Sequence, residues 1–174
     1  MTLTVRAAVT HDLPAIQAIY AHHVRHGTGT FEEVPPDLAD MSTRFAAVAH
    51  HNLPWLVAER EGRILGYTYA IPFRPRSAYR FTVEDSVYVA PDAQRLGVGV
   101  GLLTELIAAC EALGLRRMLA VIGDSENFGS VGLHARCGFS HQGVLTGVGL
   151  KFGRWLDVVL MERGLGVDFD TPQQ

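Results

Sequence analysis

Gln94-Arg95-Leu96-Gly97-Val98-Gly99-Val100-Gly101 is the stretch on which the fold reading turns. Its glycines alternate with apolar residues directly ahead of Leu102, Leu103, Leu106, Ile107, Cys110 and Leu113. Those six form the apolar stripe of a helix predicted from about Val98 to Leu113 and ended by Gly114. On the other side, Phe81 to Val89 reads as a strand stopped by Pro91. Glycine lets the backbone approach a ligand with its N–H groups outward, and a helix start carries partial positive charge. No Ser, Thr, Asp or Asn stands at this helix start, its first acid is Glu105, and Arg95 lies beside it. Such a helix start suits a phosphate or diphosphate. Taken alone, the glycines also suit a turn that merely lets helix and strand pack closely.

Working outward, Leu3–Ala8 reads as a strand, and Thr10 as the cap of a helix with Asp12 in its first turn. A second helix follows Pro35-Pro36 through Leu38, Met41, Phe45 and Val48. Trp55–Glu59 and Ile64–Ala70 flank a hairpin turn at Arg60-Glu61-Gly62-Arg63. Beyond the glycine helix come a buried-type strand at Arg117–Ile122, a short helix from Phe128 to Cys137, and strands near Ser140–Leu145 and Leu156–Glu162. An antiparallel first half and a parallel crossover in the second predict an α/β sheet of mixed direction. Repeats and linkers are not visible, so residues 3–163 are read as one domain and 164–174 as a tail.

The 174 residues are 48% hydrophobic and 19% charged, with net charge −3, which favours a globular domain without a nucleic-acid partner. Cys110 and Cys137 have no metal-site or CxxC spacing and read as free buried thiols in a reducing compartment. The start, Met1 to His11, does not pattern as a signal peptide, and apolar runs fall short of the roughly 18 residues that span a bilayer. The expectation is a cytoplasmic chain with no membrane partner. His22-His23-x-x-His26 and His50-His51 invite a metal reading, but without an HExxH pattern or a third ligand they read as polar helix ends, with no metal.

A Walker loop needs Gly-Lys-Ser/Thr, which is absent. Asp124 stands where a ribose-binding acid of a dinucleotide fold would, but the glycines run G-x-G-x-G and the unit follows antiparallel strands. Gln94-x-x-Gly97-x-Gly99 fits acyl-CoA binding better. With Gly29-Thr30-Phe31-Glu32, Trp55-Leu56-Val57-Ala58, Phe81–Val89, Ala120-Val121-Ile122-Gly123, Leu133-His134, Cys137-Gly138-Phe139 and Lys151–Asp157 in this order, the chain resembles the GNAT acetyltransferase superfamily. It looks most like the phosphinothricin and methionine sulfoximine branch, over Val5 to Met161.

The resemblance implies a GNAT fold, a mixed sheet of about six to seven strands flanked by about four helices. It implies acetyl-CoA as donor, direct transfer to the α-amine of a small anionic amino-acid analogue, and a homodimer, with the Lys151–Trp155 turn as candidate interface. Gln94, Arg95, Leu96, Gly97, Val98, Gly99, Val100 and Gly101 would hold the diphosphate, Val87, Tyr88 and Val89 would pair with the pantetheine arm, and Asn127 and Ser130 would touch the cofactor.

A protonated amine cannot attack a thioester, so transfer needs a base. Glu84 matches the branch's general base; on an ideal strand it shares a face with Ser86 and Tyr88, whereas Asp85, the rival by position, falls with Val83, Val87 and Val89. A backbone N–H of Val87–Val89 could donate to the oxyanion of acyl transfer. His134 shares a helix face with Asn127 and Ser130, and would either protonate the leaving sulfur or line the groove. Arg74, Arg76 and Tyr79, with Phe73 and Phe31, match acceptor-pocket positions, and an arginine fork suits a carboxylate or phosphinate. Related enzymes carry Lys where this chain has Arg74, and some carry Trp at Phe73. Two alternatives stay open: another acceptor (polyamine, aminoglycoside or protein N-terminus), and a non-catalytic acyl-CoA or dinucleotide-binding module.

Overall fold

Two pairs of left-handed residues fix the two hairpins that frame the fold. Glu61 and Gly62 have φ of 55° and 77°, and Phe152 and Gly153 have φ of 52° and 72°. Two positive φ values in succession make the tight turn whose twist matches that of the flanking strands. The computed structural model describes residues 2–166. Along the chain lie β1 (Thr4–Ala7), α1 (Leu13–His26), α2 (Leu38–His50), β2 (Trp55–Arg60), β3 (Arg63–Pro72), β4 (Thr82–Val89), α3 (Val98–Ala112), β5 (Arg117–Gly123), α4 (Phe128–Arg136), β6 (Ser140–Lys151) and β7 (Arg154–Gly164). The strands form one sheet in the order β1-β2-β3-β4-β5-β7-β6. Only β4 and β5 run parallel; every other neighbouring pair is antiparallel. This is the mixed α/β sheet expected, with seven strands and four α-helices.

Helices cover both faces. Tyr67 of β3 stacks on Tyr88 of β4 at 5.4 Å, and Tyr88 meets Tyr20 of α1 edge-on at 4.9 Å. The next β3 position, Gly66, faces α3: a Cβ there would lie 3.1 Å from Leu102, 3.2 Å from Val98 and 2.8 Å from the Tyr88 carbonyl. Leu13, Ile16 and Met41 pack with Trp55 and Tyr67 in one core, and Leu103, Leu106 and Ile107 pack with Met118, Met161 and Leu165 in the other.

Three local readings are corrected. Thr10 does not begin α1; it opens a 3-10 turn, Thr10–Asp12. Asp12 is drawn to β1 instead, its carboxylate taking two hydrogen bonds from Arg6 at 2.7 and 2.9 Å and one from the Val9 N–H at 2.9 Å. β6 does not stop at Leu145 but runs on to Lys151. Past Leu145 the pairing is interrupted by an irregularity between Leu145 and Gly149, where the Gly147 N–H donates to Asp157, and then resumes. Gly164 closes β7 and Leu165 is buried, so the expected tail begins inside the fold; residues 167–174 lie outside the described residues.

Candidate active site

The sheet opens in its middle. β4 and β5 pair only from Thr82↔Arg117 to Asp85↔Ala120, although β4 continues to Val89 and β5 to Gly123. Beyond Asp85 the two strands diverge, and the helices that follow them, α3 and α4, start at the open end. Carboxyl ends of parallel strands are where open α/β sheets place ligands. A cleft of about 720 Å³ occupies the opening.

Most of the coenzyme residues expected from the sequence meet there. Val87, Tyr88, Val89, Gln94, Arg95, Gly97, Val98, Gly99, Val100, Asn127, Ser130 and His134 all line the cleft. Leu96 and Gly101 do not; Leu96 is exposed, and Gly101 faces Leu3 and Val5 of the β1 side. Gly97 sits at φ 81° ahead of α3, with no side-chain cap and no acid in the helix's first turn. A Cβ on Gly97 would meet nothing within 4 Å, so this glycine serves backbone shape rather than packing. Gly99 does serve packing, since a Cβ there would lie 3.1 Å from Leu133 of α4. The Gly101 N–H donates to the Gly97 carbonyl at 3.0 Å. By helix geometry the amides of Val98, Gly99 and Val100 precede any intrahelical acceptor. An uncapped, open helix start with Arg95 alongside fits a diphosphate.

The sequence missed several cleft residues. Gly27, Thr28 and Gly29 line it from the α1–α2 loop and Arg136 from α4; Asp85 of β4 and Asp124 after β5, read as a rival base and a possible ribose acid, line it too. Arg136 is two residues from His134 and so off the Asn127–Ser130–His134 helix face, and His23, whose Nε2–H reaches the Val89 carbonyl at 2.8 Å, carried no local signal either. Asp124 spends its carboxylate on the Thr28 hydroxyl at 2.7 Å and the Glu126 N–H at 3.0 Å. Held in this way it is not a free ribose acceptor, which weighs against a dinucleotide.

The acceptor-side residues lie elsewhere: Phe31, Phe73, Arg74, Arg76, Tyr79 and Glu84 are not among the cleft's lining. Glu84 is half-buried on β4 opposite Ile71. Burial, and then the charge of Asp85, raise its pKa above the ordinary 4.5, with Arg74 opposing. Arg74 is exposed, its guanidinium 4.3 Å above the Phe73 ring, which meets Tyr79 edge-on at 5.6 Å. Arg76 is exposed on the same loop. Phe31 is wedged against β6: a Cβ on Gly149 would fall 2.2 Å from its ring.

His134 is almost fully buried between β4 and its own helix. One ring nitrogen lies 2.8 Å from the Ser130 carbonyl and the other 3.0 Å from Asp85. Burial opposes its charge, but the Asp85 hydrogen bond and charge, with the Ser130 carbonyl, raise its pKa overall. The His22 and His26 rings lie 4.7 Å apart and tilted by 45°, and no group of three or more potential metal ligands occurs among the described residues.

A split parallel pair headed by an uncapped glycine helix defines an acyl-coenzyme-binding class of fold, and the comparisons agree. The chain belongs to the acetyltransferase (GNAT) family, whose model matches residues 16–139. It is 62% identical to a phosphinothricin N-acetyltransferase of Alcaligenes faecalis over 97% of this chain and 85% of the relative. It is 44% identical to an L-methionine sulfoximine/L-methionine sulfone acetyltransferase of Pseudomonas paraeruginosa over 99% of this chain and 100% of that one. The crystal structure of a Sinorhizobium meliloti phosphinothricin acetyltransferase in complex with acetyl-CoA matches at TM-score 0.96 and 46% identity, covering 100% of this chain and 94% of that chain.

Proposed function

We propose that this protein transfers the acetyl group of acetyl-CoA to the α-amine of a small anionic amino-acid analogue of the phosphinothricin, methionine sulfoximine or methionine sulfone type. The observation that carries the reading is the opening between β4 and β5 beneath the uncapped start of α3, in a chain so close to acetyltransferases of such substrates. Bound there, acetyl-CoA supplies an activated thioester.

The rest falls to this chain's own residues. Val98, Gly99 and Val100 offer backbone N–H groups, and Arg95 its charge, to the diphosphate; the unpaired edge of Val87–Val89 offers strand-like hydrogen bonds to the pantetheine amides; Asn127 and Ser130 hold the opposite wall. Glu84, with a raised pKa, is the general base that takes the amine's proton directly or through water. Arg74, Arg76 and Tyr79, with Phe73 and Phe31, receive the acceptor's acidic end and apolar stem. His134 is the proton source on the sulfur side, on the condition that its contact with Asp85 opens.

Residues 3–165, through the end of β7 and the buried Leu165, act as one catalytic domain. Two buried free thiols, Cys110 and Cys137, fit a cytoplasmic enzyme. The homodimer forms along the edge strand β6 and the turn that leads into β7: Val144, Leu145, Val148 and Leu150 of the strand, and Phe152 and Trp155 at the turn, are all exposed.

A panel of amines with and without an acidic group, read by thiol release from acetyl-CoA, tests this function. Turnover of methionine sulfoximine, methionine sulfone or phosphinothricin is expected, with little for spermidine, an aminoglycoside or a peptide. Preference for a cationic amine would overturn it.

A further inference from the structure

Asp85 enters the chemistry above only as the contact His134 must give up, yet it is one of the most enclosed charged side chains among the described residues. Side-chain exposure is 1% for Asp85 and 3% for His134. A count of donors and acceptors around the ring fixes where the protons are. The Ser130 carbonyl, 2.8 Å from Nδ1, can only accept, so Nδ1 carries a hydrogen. A neutral imidazole has one N–H, and that one is committed. Nε2 nevertheless lies 3.0 Å from Asp85 Oδ2. Two bare lone pairs would repel at that distance, so a second proton lies between them. Imidazole is ordinarily the stronger base of the two, so the proton rests on Nε2 and makes an imidazolium–carboxylate pair with no net charge.

The second Asp85 oxygen, Oδ1, is buried and has no hydrogen-bond partner among the described residues. Asp85 and His134 both line the cleft. Asp85 stands where β4 and β5 part, since Asp85↔Ala120 is the last pair of the parallel ladder. The titratable groups that feel Asp85 are Glu84 next to it on β4, Cys110 on α3, Cys137 after α4 and His134 itself. None of the first three is a cation, so His134 is the partner that compensates the carboxylate. An orphaned buried acceptor in a ligand cleft is a site waiting for a donor.

We infer that Asp85 and His134 form a proton-holding latch that ties α4 to β4 across the cleft, and that the free Asp85 Oδ1 accepts a hydrogen bond from an N–H of the molecule bound there. The second half rests on the acetyl-CoA reading, whose pantetheine amides are such donors. The latch also explains why both nitrogens of His134 are occupied: a proton reaches the sulfur from this ring only after the Asp85 contact breaks. Asp85 is thus a positioning residue and, through Oδ1, a binding one.

Imidazole nitrogen NMR on the full chain tests the latch, with the His134 signals assigned by their loss in His134→Gln. At pH 7 both His134 nitrogens should carry hydrogen in the native protein, and Asp85→Asn should return the ring to one N–H. Calorimetric titration with acetyl-CoA tests the acceptor. Asp85→Asn keeps an oxygen there and should hold affinity within about threefold, whereas Asp85→Ala should weaken it about tenfold. A one-proton His134 in the native protein, or equal affinity in Asp85→Ala, would overturn the inference. Failure of the native protein to bind acetyl-CoA would instead strike the proposed function, leaving the NMR spectrum to judge the latch.

Discussion

Glu84 and Asp85 are adjacent on β4 but work on opposite faces of the sheet. Burial and the neighbouring carboxylate raise the Glu84 pKa, and Arg74 pulls it back. A base must be ionised before it can take the amine's proton, so a raised value moves the acid limb of kcat/KM upward. For the native enzyme that limb should lie above pH 4.5, the ordinary value for this group. Arg74→Ala should push it higher, because the charge favouring the carboxylate is gone. A limb below the ordinary value, or a downward move in the variant, contradicts the assignment. Glu84→Gln should lower kcat/KM by about 10²- to 10⁴-fold at neutral pH with acetyl-CoA affinity intact. The acidic pair Glu84–Asp85 stood out in the sequence because acids within an apolar strand are conspicuous, and the family resemblance ranked Glu84 first. The Asp85–His134 contact was not, since strand alternation says which face Asp85 takes but not what a residue 49 positions later brings to it.

At the scale of elements, the β6–β7 hairpin reaches into the site through the last residue before its turn. Lys151 was read as part of a surface turn, but its side chain is buried, with 1% residue exposure. Its ammonium donates to the Gly27 carbonyl at 2.8 Å and the Thr30 carbonyl at 2.7 Å, and lies 5.0 Å from the Phe152 ring. It pins the loop whose Gly27, Thr28 and Gly29 line the cleft and whose Phe31 wedges against Gly149. Lys151→Met would leave two carbonyls without their donor. It should destabilise the fold by about 2–4 kcal/mol in denaturant melts and raise the acceptor KM more than the acetyl-CoA KM. Unchanged stability and an unchanged acceptor KM contradict the pin. The glycine helix and the first hairpin were readable because alternation, apolar periodicity and Gly62 are local. The far half of β6 was not, because Gly147 and Gly149 carry the signature of a break and only pairing with β7 shows that the strand continues.

Across the whole molecule, one event organises function: the sheet stays closed on both flanks and opens at a single parallel pair. The glycine loop pointed to what binds there, but the opening itself lies in the pairing between β4 and β5, which end-to-end residue order does not encode. The exposed apolar surface of β6 and of the turn leading into β7 belongs to this scale too. If it is the dimer face, Trp155→Glu, at a residue 71% exposed and so free of folding demands, should shift the protein toward monomer in sedimentation analysis. A native monomer would contradict the proposed assembly. The most direct check of the whole account is a crystal structure with coenzyme A and methionine sulfoximine bound together. The coenzyme should run through the β4–β5 opening with its diphosphate on the first turn of α3, and the acceptor's amine should lie within hydrogen-bond reach of Glu84, directly or through one water. A coenzyme outside that opening, or an amine on the far side of the sheet from Glu84, would contradict it.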